Sequence, residues 1–291
     1  MLKVVLLGQS GQLASELKFS APAFIQLRVL GHAEFCTLSD AVLTDFFLRF
    51  RPDWVVNAVA YNQVDQAELS PDVALAGNFC LVQKLQQLCA LNQTKLLHIS
   101  TDYVFDGEKL TSYKESDQQY PLNYYGKTKL LAEQWLQQEY KAQSFIIRTS
   151  WLYSVYGKNF VKTMLQLMQT KRQLQVVQDQ MGSPCWAYGL AVVIWQIICN
   201  ETVIAGVYHW ADSGFCSRYE FACEIQHLAI QLGLVGDEVE LIAVNSEQLN
   251  SVVKRPVFSA LDSGLLRELL SLPPVPWQQQ LAKALKLLSI G

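Results

Sequence analysis

The sequence lacks a charge excess of either sign. Its 291 residues carry 23 Lys and Arg against 26 Asp and Glu, for a net charge of -3. A chain so balanced has no bulk attraction for nucleic acid or for an anionic membrane surface. It also lacks a long apolar run. The stretch Ala187–Cys199 is interrupted by Gln196 and falls short of the roughly 18 apolar residues a membrane span needs. Val4-Val5-Leu6-Leu7 is too short for a signal-peptide core and runs straight into Gly8 and a polar turn, so a cytoplasmic protein is expected. The seven cysteines have no Cys-x-x-Cys spacing, which argues against a disulfide framework. His32, His98, His209 and His227 form no sequence cluster, and no metal ligand set is proposed. Internal repeats, low-complexity tracts and long linkers are missing as well.

What is present is apolar sequence, 51% of the chain, enough for a large core. The first half alternates strand and helix signals. Strands are expected at residues 3–7, 25–30, 54–58, 96–100 and 145–148. Helices are expected at 11–18 and 43–50, and from Ser70-Pro71 to about residue 90, with Ser70 as N-cap and Pro71 at the first helical position. Pro121 is expected to open a further helix that carries Tyr125, Lys129 and Glu133. Alternation at this spacing predicts an α/β fold, a Rossmann-like doubly wound parallel sheet. The second half is less regular. Helices are expected at 159–168, 187–199, 217–232 and 277–288, the third with Ser217 and Glu220 as a capping box. Strands are expected at 174–177, 207–210 and 239–244, and a turn at Gly182-Ser183-Pro184. The division predicted is a nucleotide-binding core at 1–150 and a smaller interwoven C-terminal substrate-binding lobe at 151–291, some of whose elements return to the core.

Three motifs carry chemistry. Gly8-Gln9-Ser10-Gly11-Gln12-Leu13-Ala14 follows a strand and opens a helix. Glycine lets a backbone approach a pyrophosphate, and a helix N-terminus offers free N–H groups and a positive dipole end. The spacing is Gly-x-x-Gly-x-x-Ala, and no acid or Arg at the end of the second strand chooses NADH or NADPH. Tyr125 and Lys129 lie four residues apart, one face of a helix. A cation beside a phenol lowers its pKa from about 10, and such a phenol can exchange a proton with a carbonyl oxygen. Thr101, in Ser100-Thr101-Asp102-Tyr103-Val104-Phe105-Asp106-Gly107, follows the fourth strand and can donate a hydrogen bond to a substrate oxygen. Each motif alone has an ordinary structural explanation: a tight turn, a chance pair on a helix, a capping turn. Together they predict one edge of one sheet.

These residues resemble the extended short-chain dehydrogenase/reductase superfamily, and within it the dTDP-4-dehydrorhamnose reductase family. Carrying the resemblance are Asn57-Ala58-Val59-Ala60-Tyr61, the segment from Ser100 to Gly107, Tyr125-Gly126-Lys127-Thr128-Lys129-Leu130, Arg148-Thr149-Ser150-Trp151, Gly182-Ser183-Pro184 and Arg255-Pro256 with Ser259 and Leu261. The resemblance implies reduction, by NADPH or NADH, of the C4 ketone of dTDP-4-dehydro-L-rhamnose to dTDP-L-rhamnose, a precursor of surface polysaccharide. Thr101, Tyr125 and Lys129 would be catalytic. Lys129 would bind the nicotinamide ribose and lower the pKa of Tyr125. Gly8, Gly11, Gln12 and Leu13 would hold the pyrophosphate. Gly31, Thr37 and Leu38 would fall in the adenosine half, and Ala60, Tyr61 and Asn62 on the nicotinamide side. Asp102 and Trp151 would contact the sugar, and Arg255 the sugar-nucleotide diphosphate. Thr37 stands where the family commonly has Asp. The partner implied is a dTDP-linked keto sugar, with no nucleic acid and no membrane, and a homodimer stays open. Two alternatives stay open beside it: another nucleotide-linked 4-keto-6-deoxy sugar as substrate, and a non-catalytic NADP-binding regulatory subunit like that of methionine adenosyltransferase.

Overall fold

The computed structural model describes residues 1–200, 202–249 and 253–290. Residue 291, the last of the expected lobe, lies outside them. Six strands form one parallel sheet: β1 (Leu2–Leu7), β2 (Ile25–Leu30), β3 (Trp54–Asn57), β4 (Lys95–Thr101), β5 (Ser144–Thr149) and β6 (Gly206–His209), in the order β6-β5-β4-β3-β1-β2. Helices cover both faces of such a sheet, so its strands need apolar side chains on both sides rather than in alternation. Val4-Val5-Leu6-Leu7 and all four residues of β3 are accordingly buried. The chain leaves β1 toward β2 on one side and comes back to β3 on the other. Ligands of open α/β sheets bind beyond the carboxyl ends of the strands at such a reversal.

The helices of the first half are α1 (Gln12–Phe19), α2 (His32–Thr37), α3 (Asp40–Phe50), α4 (Val64–Leu69), α5 (Pro71–Leu75), α6 (Leu81–Ala90) and α7 (Tyr124–Glu139). Those of the second half are α8 (Phe160–Met168), α9 (Ala187–Cys199), α10 (Arg218–Gln231), α11 (Gly264–Leu269) and α12 (Trp277–Ile290). One sheet face is covered by α1 and α9, joined through Leu13, Leu17, Leu190 and Ile194, with the Trp195 Nε1–H donating to Leu17 O at 3.2 Å. The other face is covered by α3, α6 and α7, through Phe47, Leu85 and Leu136. A second core gathers around Phe221, with Tyr153, Val161, Trp277 and Leu281. Two later elements, β6 and α9, thus belong to the sheet and its cover.

Several expectations need correction. Pro121 lies outside α7, which is opened instead by Asn123, whose Oδ1 accepts from Gly126 N at 2.9 Å. The helix begins where a capping side chain is available, and Asn123 supplies an acceptor for the free N–H of Gly126 that proline lacks. Pro71 does stand at the first position of α5, but the Ser70 side chain makes no cap bond, and the run to Ala90 is interrupted by a π turn at Ala76–Cys80. Gly182-Ser183-Pro184 is not a free turn. Met181–Gly182 pairs with Cys216–Ser217, and Cys185–Trp186 with Leu152–Tyr153. The short helices α2, α4 and α11 were not anticipated. The capping box of α10 is present: Ser217 Oγ accepts from Glu220 N at 3.0 Å, and Glu220 Oε2 accepts from Ser217 N at 2.7 Å.

Candidate active site

A cavity of about 1240 Å³ opens at the carboxyl ends of the strands. Its wall is made of the segments that leave those ends: Gly8 to Leu13 after β1, Ala58 to Asn62 after β3, Thr101 and Asp102 at the end of β4, and Ser150 to Leu152 after β5. Gly8 has φ +128, and an added Cβ would come within 3.3 Å of the Ala14 Cβ and 3.5 Å of the Ala58 Cβ. The turn therefore needs glycine here. Gly11 N-caps α1 with no side chain, nothing lies within 4 Å of where its Cβ would be, and the first turn has no acid. The helix N-terminus faces the cavity with its N–H groups and positive dipole end, which suits a pyrophosphate. Ser100 also belongs to the wall, and its buried Oγ has no hydrogen-bond partner among the described residues.

At the end near β2 the wall consists of Gly31, His32, Ala33, Glu34 and Cys36. Thr37 and Leu38, expected beside them, are not in it. Residues 32–37 wind into α2, and Thr37 Oγ1 turns back to donate to Ala33 O at 2.9 Å, while Leu38 packs against the apolar layer of Leu43 and Phe47. Ala60, Tyr61 and Asn62 do line the cavity. Their loop is fastened by buried Asn78, which the sequence reading missed. Asn78 Oδ1 accepts from Tyr61 N at 2.8 Å, and its Nδ2 donates to Tyr61 O at 3.1 Å and to Thr128 Oγ1 on α7 at 3.0 Å.

Thr101, Tyr125 and Lys129 all reach the wall. The phenol of Tyr125 lies near the Thr101 hydroxyl, and its ring meets Tyr103 edge-on, centroids 5.9 Å apart. Burial pushes the phenol pKa up, with the nearby Thr101 hydroxyl opposing it and the Asp102 charge adding to it. This corrects the expectation of a phenol depressed by Lys129. The lysine does not turn to the phenol: its Nζ donates to Ile99 O at 2.6 Å and lies 3.0 Å from His98 Nε2. Four-residue spacing puts the two Cα atoms on one face, but the long lysine stem reaches across to β4. Burial lowers the Lys129 pKa to about 7, against the charge of Glu133.

Asp102 is buried, accepts from Thr101 Oγ1 at 3.1 Å and from Ser259 Oγ at 2.6 Å. Burial raises its pKa to about 6 against those two hydrogen bonds. Trp151 sits in the wall in a left-handed conformation, φ +42, with the Arg218 guanidinium 3.6 Å from its ring centroid and 5.1 Å from that of Phe160. A Cβ on Gly182 would lie 2.4 Å from a Trp151 ring atom, so the indole has its place only beside glycine. Arg218 also lines the cavity and was missed; as the first residue of α10 it read as part of a cap. Arg255 is not in the wall. Its Nη2 lies 2.8 Å from both carboxylate oxygens of Asp65, tying the C-terminal segment to α4. Among the described residues no group of three His, Cys, Asp or Glu side chains is arranged for a metal, and no helix is long and apolar enough to cross a membrane.

The site can therefore hold an extended anionic ligand on the α1 terminus and present a protonated phenol, an amine and a buried carboxyl at its far end. Residues 2–290 match the model of the family described as RmlD substrate binding domain. The chain is 34% identical over 287 residues to a dTDP-4-dehydrorhamnose reductase of Aggregatibacter actinomycetemcomitans, covering 97% of each chain. It is 35% identical to the spore coat polysaccharide biosynthesis protein SpsK of Bacillus subtilis, covering 98% of each. The crystal structure of dTDP-4-dehydrorhamnose reductase from Bacillus anthracis in complex with NADP superposes with a TM-score of 0.89 at 31% identity, covering 98% of this chain and 99% of that one.

Proposed function

The chain belongs to the RmlD substrate binding domain family, that of the dTDP-4-dehydrorhamnose reductases, and from that premise we propose that it reduces the C4 ketone of dTDP-4-dehydro-L-rhamnose to dTDP-L-rhamnose with NADPH or NADH. The observation that carries the reading is the gathering of Thr101, Tyr125 and Lys129 in the wall of one cavity whose other end is the glycine turn and α1. The reduced nicotinamide, when bound, supplies the hydride to the ketone carbon. Tyr125 gives its proton to the oxygen, which stays on C4 and becomes the hydroxyl. A phenol kept protonated by burial suits the reductive direction, because it must enter each turnover as an acid. Thr101, also in the wall, shares the carbonyl oxygen. Lys129 holds the nicotinamide ribose, with Ala60, Tyr61 and Asn62 beside the ring, and Gly8, Gly11, Gln12 and Leu13 hold the pyrophosphate. Asp102 and Trp151 meet the sugar. Arg218, flat against Trp151, takes the role first given to Arg255 and faces the sugar-nucleotide diphosphate.

We divide the chain into a cofactor core, 1–150, and a substrate lobe, 151–291, with β6 and α9 returning to the core. The reaction draws on a nicotinamide pool, so we place the protein in the cytoplasm, and we keep a homodimer as its assembly. What favours an enzyme over a regulatory subunit is an open cavity with its acid, amine and hydroxyl in the wall.

The purified protein, given dTDP-, GDP- and UDP-linked 4-keto-6-deoxy sugars with NADH or NADPH, is expected to oxidise the cofactor fastest with dTDP-4-dehydro-L-rhamnose. Binding of sugar and cofactor without oxidation would refute the reading. Gly126→Ala offers a sharper geometric check. A Cβ at this position would lie 2.2 Å from Tyr103 O, so the first turn of α7 must move and Tyr125 with it. Misplacing a reacting group by about 1 Å costs on the order of 100-fold in rate. Steady-state kinetics should show that loss in kcat with helix content unchanged by circular dichroism; full kcat would mean that Tyr125 placement is not limiting.

A further inference from the structure

The His98 ring on β4 is completely buried and lies between Asn57 of β3 and Lys129 of α7. The hydrogen bonds fix its tautomer. Val59 N donates to Asn57 Oδ1 at 3.1 Å, so the amide nitrogen of Asn57 faces the other way, 3.0 Å from His98 Nδ1. An amide nitrogen only donates, and Nδ1 must accept. Complete burial, which disfavours the charged ring, keeps His98 neutral. A neutral imidazole carries one N–H, here on Nε2, and Nε2 lies 3.0 Å from Lys129 Nζ. An ammonium has no lone pair, so two donors would meet head-on. A neutral amine accepts from Nε2–H and still donates to Ile99 O.

The other charged groups around Lys129 do not reverse this. Glu133, one turn along α7, favours the ammonium. Its carboxylate is engaged by Arg148 of β5, with Nη2 2.6 Å from Oε2 and Nε 3.0 Å from Oε1. Asp102, after β4, is occupied by Thr101 and Ser259, and burial keeps Tyr125 protonated.

We propose that His98, its tautomer set by Asn57, is a positioning residue that holds Lys129 as a neutral amine in the ligand-free protein, so that binding of the nicotinamide cofactor takes up one proton. The inference rests on the reading of Lys129 as the residue that holds the nicotinamide ribose. The amine gains a proton from solvent when ribose hydroxyls offer it acceptors and the pyrophosphate brings negative charge into the cavity. Between the free and bound pKa of the lysine, cofactor affinity must then fall about tenfold per pH unit.

NADH binding is measured by fluorescence between about pH 6 and about pH 9, and proton uptake by calorimetry in two buffers of different ionisation enthalpy. The wild type is expected to take up close to one proton per NADH at about pH 8, with Kd rising about tenfold per unit above neutrality. Asn57→Asp presents a carboxylate to Nδ1, which must then carry the proton, and Nε2 becomes an acceptor for an ammonium. Its uptake should fall toward zero and the break in Kd move up by about one unit or more. His98→Asn keeps a partner for Asn57 but vacates the place of Nε2, and should shift the break the same way. No uptake by the wild type, or uptake unchanged in either folded variant, would overturn the proposal. If neither variant folds, the wild-type uptake decides. Since cofactor binding is read without turnover, failure here is separable from failure of the reductase reading, which would show as absent sugar reduction.

Discussion

Tyr125→Phe is expected to lower kcat by about 10²- to 10⁴-fold, the range for loss of a positioned general acid, and to leave NADH affinity within about twofold. The substitution removes one oxygen. The ring keeps its edge contact with Tyr103 and its place in the cavity wall, so the cofactor site is left intact. What is lost is the proton for the alkoxide. Because burial holds the phenol pKa above its ordinary value, the acid form persists through the neutral range, and ionisation of this group should not reduce the reductive kcat below about pH 10. Steady-state turnover with the dTDP-linked ketone, beside fluorescence titration of NADH, measures both parts. A variant that retained wild-type kcat would remove Tyr125 from the chemistry.

Arg148→Met is expected to destabilise the fold by about 3–5 kcal/mol, the cost of leaving one partner of a buried ion pair alone. Arg148 and Glu133 are 2% and 0% exposed at the side chain, and the guanidinium meets both carboxylate oxygens. The same guanidinium lies against Phe105 and within 3.3 Å of His209 Nε2, so it joins β5, α7 and β6. Its removal strands the Glu133 carboxylate in the interior, where it must take up a proton or admit water. The double variant Arg148→Met with Glu133→Leu removes both charges and should recover most of the loss. Urea unfolding of the two variants gives the difference; a single variant within about 1 kcal/mol of wild type would show that the pair carries little.

The parts of this architecture readable from sequence are those with strong local signals. Ile25–Leu30 and Ala187–Cys199 fall where apolar runs of strand and helix length predicted them, and Ser217 with Glu220 marked the start of α10. The short helix α2 has six residues and one buried side chain, too little for a periodic signal, and missing it misplaced Thr37 and Leu38. Polar residues whose partners are distant in sequence were illegible for a different reason. Arg255 finds Asp65, Ser259 finds Asp102, and Lys129 finds His98 only once the sheet is assembled. Helical spacing correctly put Tyr125 and Lys129 on one face, but not where a flexible four-carbon stem would turn.

The hydride itself gives the most direct test of the account. With NADH or NADPH carrying deuterium at the transferable C4 position and dTDP-4-dehydro-L-rhamnose as acceptor, NMR of the product should place the deuterium on C4 of the sugar, with the hydroxyl proton drawn from solvent. Oxidation of the cofactor with no deuterium in the sugar, or bound sugar and cofactor that remain unchanged, would contradict it.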